Sequence, residues 1–290
     1  MKTLSEIWAE SNRRFETQLA GLYEGHGEPQ DRLFKAMSYS LRAGGKRLRP
    51  FLVYQFCAAC GGKETDADNA ALAMEMIHTY SLIHDDLPAM DNDDYRRGRL
   101  TNHKVYGEAM AILAGDGLLT DAFMTLASAP LPADRLLTAV QLLSAEAGPW
   151  GMVGGQALDM LSEERKLTEE EVIAIQTRKT GGLIRAACGL GVLCGGGTAE
   201  QLEAARRYAD GVGLAFQIRD DVLDVIGDAA KLGKATGVDG NKNTFVRLRG
   251  LEGCEKLIEE QTEKACEALS AFPDAEILRE LAHTLAYRDR

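Results

Sequence analysis

From Ala73 onward the apolar residues Met76, Ile77, Tyr80 and Ile83 recur at the spacing of one helix face, and Leu87 carries the stripe to the edge of Pro88. A proline has no N–H to donate, so a helix over this run has to stop there. Tyr208, Val212, Ala215, Phe216, Val222, Leu223 and Ile226 trace a second such face. Strand-like alternation is scarce, β-branched residues are scattered, and most segments are rich in the helix formers Ala, Leu, Glu and Met. Further helices are expected to begin near Leu4, Arg32, Thr65, Glu108, Ala133, Gln156, Thr168, Ala199 and Cys254, with Thr168 and Glu171 spaced as a capping box. Gly/Pro-rich points at GEPQ (27–30), PLP (130–132), GPWG (148–151) and GGG (195–197) read as turns between them. No composition break or fixed-period repeat divides the chain, so the expectation is one all-α helical bundle over residues 1–290.

With 45% apolar and 27% charged residues, the chain is suited to a substantial core. Its formal net charge of −11 disfavours nucleic acid and anionic membrane surfaces as partners. Nowhere do 18 apolar residues run together, and the first stretch, MKTLSEIWAESNRRFETQL, has alternating charge and no apolar signal region. A cytoplasmic protein without stable membrane insertion is expected. The six cysteines are too sparse for a disulfide scaffold, and the one CxxC, Cys57 with Cys60, has no partner pair for zinc, so buried reduced thiols are expected.

Two acidic clusters follow the two apolar stripes. In SLIHDDLPAMDNDDYRRG (81–98), Asp85, Asp86, Asp91, Asp93 and Asp94 precede Arg96 and Arg97. The break at Pro88 leaves Asp91 free to fold back toward Asp85. In FQIRDDVLD (216–224), Asp220 and Asp224 lie four residues apart on one helix face, with Gln217 beside them. Like charges so placed destabilise a helix unless a cation neutralises them. Carboxylates together with phosphate and water oxygens suit Mg²⁺, which seldom takes an all-protein cage. An EF-hand starting at Asp91 fails, because its sixth position is Arg96 and its twelfth Asn102.

Basic residues flank these clusters. GGKRLRP (44–50) sets Lys46, Arg47 and Arg49 behind two glycines. Guanidiniums grip phosphate bidentately and lysine acts as a point charge, so interleaving them with metal-binding carboxylates suits a diphosphate better than a neutral ligand. No P-loop or dinucleotide fingerprint is present.

GGKRLRP, the motif Asp85-Asp86-x4-Asp91 with Arg96 and Arg97, GGQALD (154–159), KTGGL (179–183), FQIRDDVLD and the LGK ending at Lys234 stand in the order seen in trans-isoprenyl diphosphate synthases, and the chain resembles that family over nearly its whole length. Within it, IHTYSLIHDDLPAMDNDDYRRG is most similar to the bacterial farnesyl type, with two residues inserted in the first motif. The resemblance implies an isoprenoid synthase-type bundle with a central active-site cavity and a homodimeric assembly. It implies that Asp85, Asp91 and Asp220 ligate Mg²⁺, supported by Asp86, Asp221 and Asp224, and that Arg96, Lys179 and Lys234 contact the diphosphate of an allylic substrate, dimethylallyl or geranyl diphosphate. Lys46, Arg49, His78 and Arg97 would hold isopentenyl diphosphate, and Thr180 and Gln217 would face the allylic cation. Tyr80, five residues before Asp85, is the expected floor of the growing chain, favouring the C15 product over the C20 product of a geranylgeranyl diphosphate synthase. A terpene cyclase would not need GGKRLRP, and a non-catalytic synthase subunit would usually lack one aspartate motif. The terminal LAHTLAYRDR is read either as a helix closing over the site, with Arg288 toward phosphate, or as a solvated tail. His84 is read as a satisfied core histidine.

Overall fold

The computed structural model describes residues 2–23, 27–162, 165–232 and 243–288. They form α1 (Leu4–Leu19), α2 (Asp31–Leu41), α3 (Leu48–Ala59), α4 (Glu64–Asp85), a short hairpin of β1 (Tyr95–Arg96) and β2 (Arg99–Leu100), α5 (Asn102–Tyr106), α6 (Glu108–Ala127), α7 (Ala133–Ala147), α8 (Met152–Met160), α9 (Glu169–Lys179), α10 (Gly181–Cys194), α11 (Ala199–Leu232), α12 (Phe245–Ala268) and α13 (Glu276–Ala286). A 3₁₀ turn, Leu269–Ala271, precedes α13. The all-α expectation holds, and each of the four Gly/Pro-rich points is a turn.

The starts follow local chemistry. Thr3 with Glu6 and Thr168 with Glu171 make reciprocal capping boxes at the heads of α1 and α9. Helix α4 ends at Asp85, three residues before Pro88, as its sequence demands. The expected start near Cys254 falls inside α12, whose first turn lies across a kink at Gly250 (φ +68°). Helices α3, α10 and α13 and the hairpin carry no start signal strong enough to read from sequence.

Helix α10 forms the centre. Apart from Arg185 its residues are buried, and it packs on α3, α4, α7 and α11. The Arg185 guanidinium is satisfied by Glu146 at 2.6 Å, Asp210 at 3.0 Å and the Thr177 carbonyl at 3.0 Å. Around it Tyr54, Phe51, Phe56 and Tyr208 fill the core, and a second apolar cluster around Ile218, Phe245 and Ile258 joins α11 to α12. Helix α6 is long and apolar enough to cross a membrane by length and composition alone. It carries Asp116 and Asp121 and packs along α4, with Ala111, Ala114, Gly115, Leu118 and Ala122 among its buried residues and Ile112, Leu113 and Met124 left exposed. The six cysteines are unpaired thiols, all but Cys60 buried, and burial pushes Cys57 up to about 12.

Candidate active site

The C-terminal end of α4 carries the first aspartate cluster. Past Asp85 the chain turns at Pro88 and returns, so that the Asp91 amide donates to the Asp85 carbonyl at 2.8 Å. The break at Pro88 leaves this return open, and the backbone takes it. Burial pushes the Asp85 carboxyl up to about 6, with Lys179 opposing and the Asp91 charge adding to the rise. Asp86 is buried and accepts from Arg96 Nε at 2.6 Å, and burial raises its pKa against that partner. Arg96 also lies 3.5 Å from Asp93, so it is held within the loop by two carboxylates.

The second cluster sits on α11. Asp220 pairs with Arg288, whose guanidinium covers the Phe216 ring at 3.7 Å and also donates to the Phe216 carbonyl. Burial raises the Asp220 pKa, while Arg288 and, more weakly, Lys46 lower it. Asp221 accepts from the Phe245 amide at 2.8 Å and is pushed up to about 6 by burial. The C-terminal segment thus lies against the second cluster, and Arg288 meets an aspartate. Among the described residues no three His, Cys, Asp or Glu side chains converge into a preformed metal cage.

Two clefts meet between the clusters. The larger, about 430 Å³, is lined by apolar side chains such as Tyr80, Met152, Val153, Met160 and Leu183, with Asp85, Lys179 and Thr180 at its polar part. The second, about 350 Å³, is lined by Lys46, Arg47, Arg49, His78 and Arg97 together with Trp8 and Phe216. Arg49 and His78 belong to both walls.

Within the second cleft the three basic residues of GGKRLRP have different fates. Lys46 is exposed, and its carbonyl accepts from the Trp8 indole at 2.8 Å. Arg47 is 3% exposed and fully engaged, by Glu75 at 2.6 Å, Glu16 at 2.8 Å and the Leu41 carbonyl at 2.8 Å. Arg49 is not so satisfied: Nη1 lies 3.3 Å from His78 Nε2, and its Nε is buried without a partner. Burial and the neighbouring Arg97 bring its pKa down to about 10 despite Glu75. His78 is pushed well below its ordinary value, first by burial and then by Arg49, Arg97, Arg47 and Arg96. Arg97 donates to the Gly44 carbonyl and lies against Gly45. Glu75, a buried acid on α4 that anchors Arg47, was invisible in the sequence because it sits within an apolar stripe.

At the junction of α9 and α10, Lys179 Nζ lies 2.6 Å from Asp159 of GGQALD. The closeness depends on Gly155, where a Cβ would overlap the Lys179 backbone. Thr180 donates to Gln217 Oε1 at 3.1 Å. Structure thus brings Asp85, Lys179, Thr180 and Tyr80 to one cleft, with Asp91 folded back on Asp85, and Lys46, Arg49, His78 and Arg97 to the other, while Asp220 and Gln217 line neither. Lys234 lies outside the described residues.

An all-α bundle with an apolar cleft headed by an aspartate, beside a second cleft lined with cations, is suited to ligands that carry an anionic head group and a hydrocarbon tail. Residues 30–283 match the family Polyprenyl synthetase, and the chain belongs to it and is a prenyltransferase. It is 50% identical over 246 residues, 84% of each chain, to a farnesyl diphosphate synthase of Micrococcus luteus. It is 49% identical over 246 residues to geranylgeranyl pyrophosphate synthase 3 of Arabidopsis thaliana, covering 82% of this chain and 68% of that one. The crystal structure of a geranyltransferase from Legionella pneumophila superposes with a TM-score of 0.85 at 35% identity, covering 98% of this chain and 96% of that one.

Proposed function

We propose that residues 1–290 form one farnesyl diphosphate synthase unit, which condenses isopentenyl diphosphate with dimethylallyl and then geranyl diphosphate. The observation that carries this reading is the pair of clefts sharing Arg49 and His78, one apolar below Asp85 and one cationic. A prenyl tail fits the first and a small diphosphate the second.

In this reading Lys179, Arg96 and Lys234 hold the allylic diphosphate as its C–O bond ionises. Lys46, Arg49 and Arg97 bind isopentenyl diphosphate, and neutral His78 accepts from Arg49 and keeps it aimed into the cleft. The oxygens of Thr180 and Gln217 face the allylic cation. The isopentenyl double bond attacks that cation, and the proton lost afterwards goes to the released diphosphate. Asp85, Asp91 and Asp220 are the residues that would hold Mg²⁺, with Asp86, Asp221 and Asp224 behind them. The donor set fits: it is all oxygen, the carboxylates are few and burial raises Asp85, so the remaining ligands of the ion would have to come from substrate and water oxygens. When bound, the ion supplies positive charge to the departing diphosphate.

Tyr80, 6% exposed on the wall of the apolar cleft, supports C15 as the product length. The similarity to a plant geranylgeranyl synthase keeps C20 as the second reading. A homodimer is supported by apolar residues left exposed on α6 and α7, among them Ile112, Leu113, Met124 and Leu137. Sedimentation is expected to give a species twice the 31.5 kDa chain mass, and a monomer at micromolar concentration would contradict the dimer. The net charge and the two aspartates carried by α6 support a cytoplasmic protein without membrane insertion.

Supplying geranyl diphosphate alone separates this function from a cyclase: the allylic substrate is expected to persist until isopentenyl diphosphate is added. Consumption of geranyl diphosphate by itself, with release of a hydrocarbon, would refute the synthase reading.

A further inference from the structure

His84 is one residue before Asp85 and one helical turn after Tyr80, and all three line the same apolar cleft. Its ring is fastened to the neighbouring helix from behind. Nε2 lies 3.1 Å from the Ile112 carbonyl of α6, and because a carbonyl only accepts, Nε2 carries the proton. Asp116 Oδ1, one turn further along α6, is 3.9 Å from the same nitrogen. The room for this contact comes from Gly115, where a Cβ would overlap the imidazole at Nε2, Cδ2 and Cε1. On its other side the imidazole meets the Tyr80 ring edge-on, with centroids 5.8 Å apart and planes at 77°.

We infer that His84, seated against Gly115, is a positioning residue that sets product length by holding the Tyr80 ring in place. The inference rests on the reading of the cleft as the tail channel closed by Tyr80. A floor residue stops a hydrocarbon tail only if it cannot swing aside, and the interior transmits such restraint through close packing. Removal of the imidazole leaves empty volume at the flank of Tyr80 into which its ring can swing out of the path of the tail, so the channel deepens. A methyl group at Gly115 acts in the opposite sense, because it displaces the imidazole from α6 toward the cleft and makes the channel shallower.

The test is product chromatography after incubation with dimethylallyl diphosphate, excess isopentenyl diphosphate and Mg²⁺. Proportions of products are read, since loss of folded enzyme lowers the total without changing the ratio. His84→Ala is expected to raise the C20:C15 ratio about tenfold, a differential barrier of about 1.4 kcal/mol. Gly115→Ala is expected to raise C10 at the expense of C15. If His84 acts through Tyr80, the double variant Tyr80→Ala/His84→Ala gives the distribution of Tyr80→Ala alone. Wild-type proportions in either single variant, shifts in the reverse sense, or additive lengthening in the double variant overturn the role of His84. A wild-type enzyme that makes no C15 product refutes the underlying reading instead.

Discussion

Arg49 Nη1 stands 3.3 Å from His78 Nε2, and since a guanidinium can only donate, the imidazole accepts and keeps its own proton on Nδ1. Burial and four surrounding guanidiniums hold His78 well below its ordinary value. An unfolded histidine protonates near about 6.5, so below that pH the unfolded chain binds a proton that the folded chain refuses. The stability contribution is complete above this value and is lost as pH falls toward the folded pKa, by up to about 1.4 kcal/mol per pH unit. Urea denaturation of wild type and His78→Gln between pH 7 and about 5 is expected to show the shallower acid loss in the variant; parallel curves would contradict a neutral His78.

Arg47 and Glu75 are both buried at 2.6 Å, so the pair belongs to the scaffold under the cationic cleft. Glu75→Leu leaves a guanidinium buried with only part of its partners, and a loss of about 3–5 kcal/mol is expected in denaturant melts. A loss below about 1 kcal/mol would mean that Glu16 and the Leu41 carbonyl suffice.

Asp220 is neutralised by Arg288 in the free enzyme, an ion pair that must rearrange if the carboxylate is to serve a metal. Asp220→Ala is expected to lower turnover by at least about 10²-fold while the helical circular dichroism is retained. Full activity in this variant would remove Asp220 from the clamp.

Tyr80 sits five residues before Asp85, about 7.5 Å along the helix axis. Tyr80→Ala is expected to convert the main product from C15 to C20 or longer, with isopentenyl incorporation maintained. An unchanged C15 product would take the floor elsewhere.

The sequence reveals α4 and α11 because apolar helical spacing is a local signal, and Pro88 fixes where α4 must stop, while the return of Asp91 onto Asp85 is only one of the paths such a break permits. Helix α10 stays hidden for the opposite reason: it is apolar on every side and holds four glycines, which lower helix propensity while serving close packing. The motifs place aspartates and cations in order, but not their partners. That Arg47 turns to Glu75 while Arg49 faces His78, and that Arg96 is tied to Asp86, follows from tertiary contacts up to 29 residues apart in the chain. His84, expected as a satisfied core histidine, is satisfied but only half-buried, and its seat on Gly115 depends on the packing of α6 against α4, for which the sequence carries no local signal.

The most direct measurement of the central claim is product analysis with isopentenyl and geranyl diphosphates in Mg²⁺, in EDTA, and in EDTA followed by excess Mg²⁺. Farnesyl diphosphate is expected in the first and third and none in the second. Undiminished C15 product in EDTA would contradict a metal-bound diphosphate between the two aspartate clusters, and a C20 product in Mg²⁺ would contradict Tyr80 as the floor of the channel.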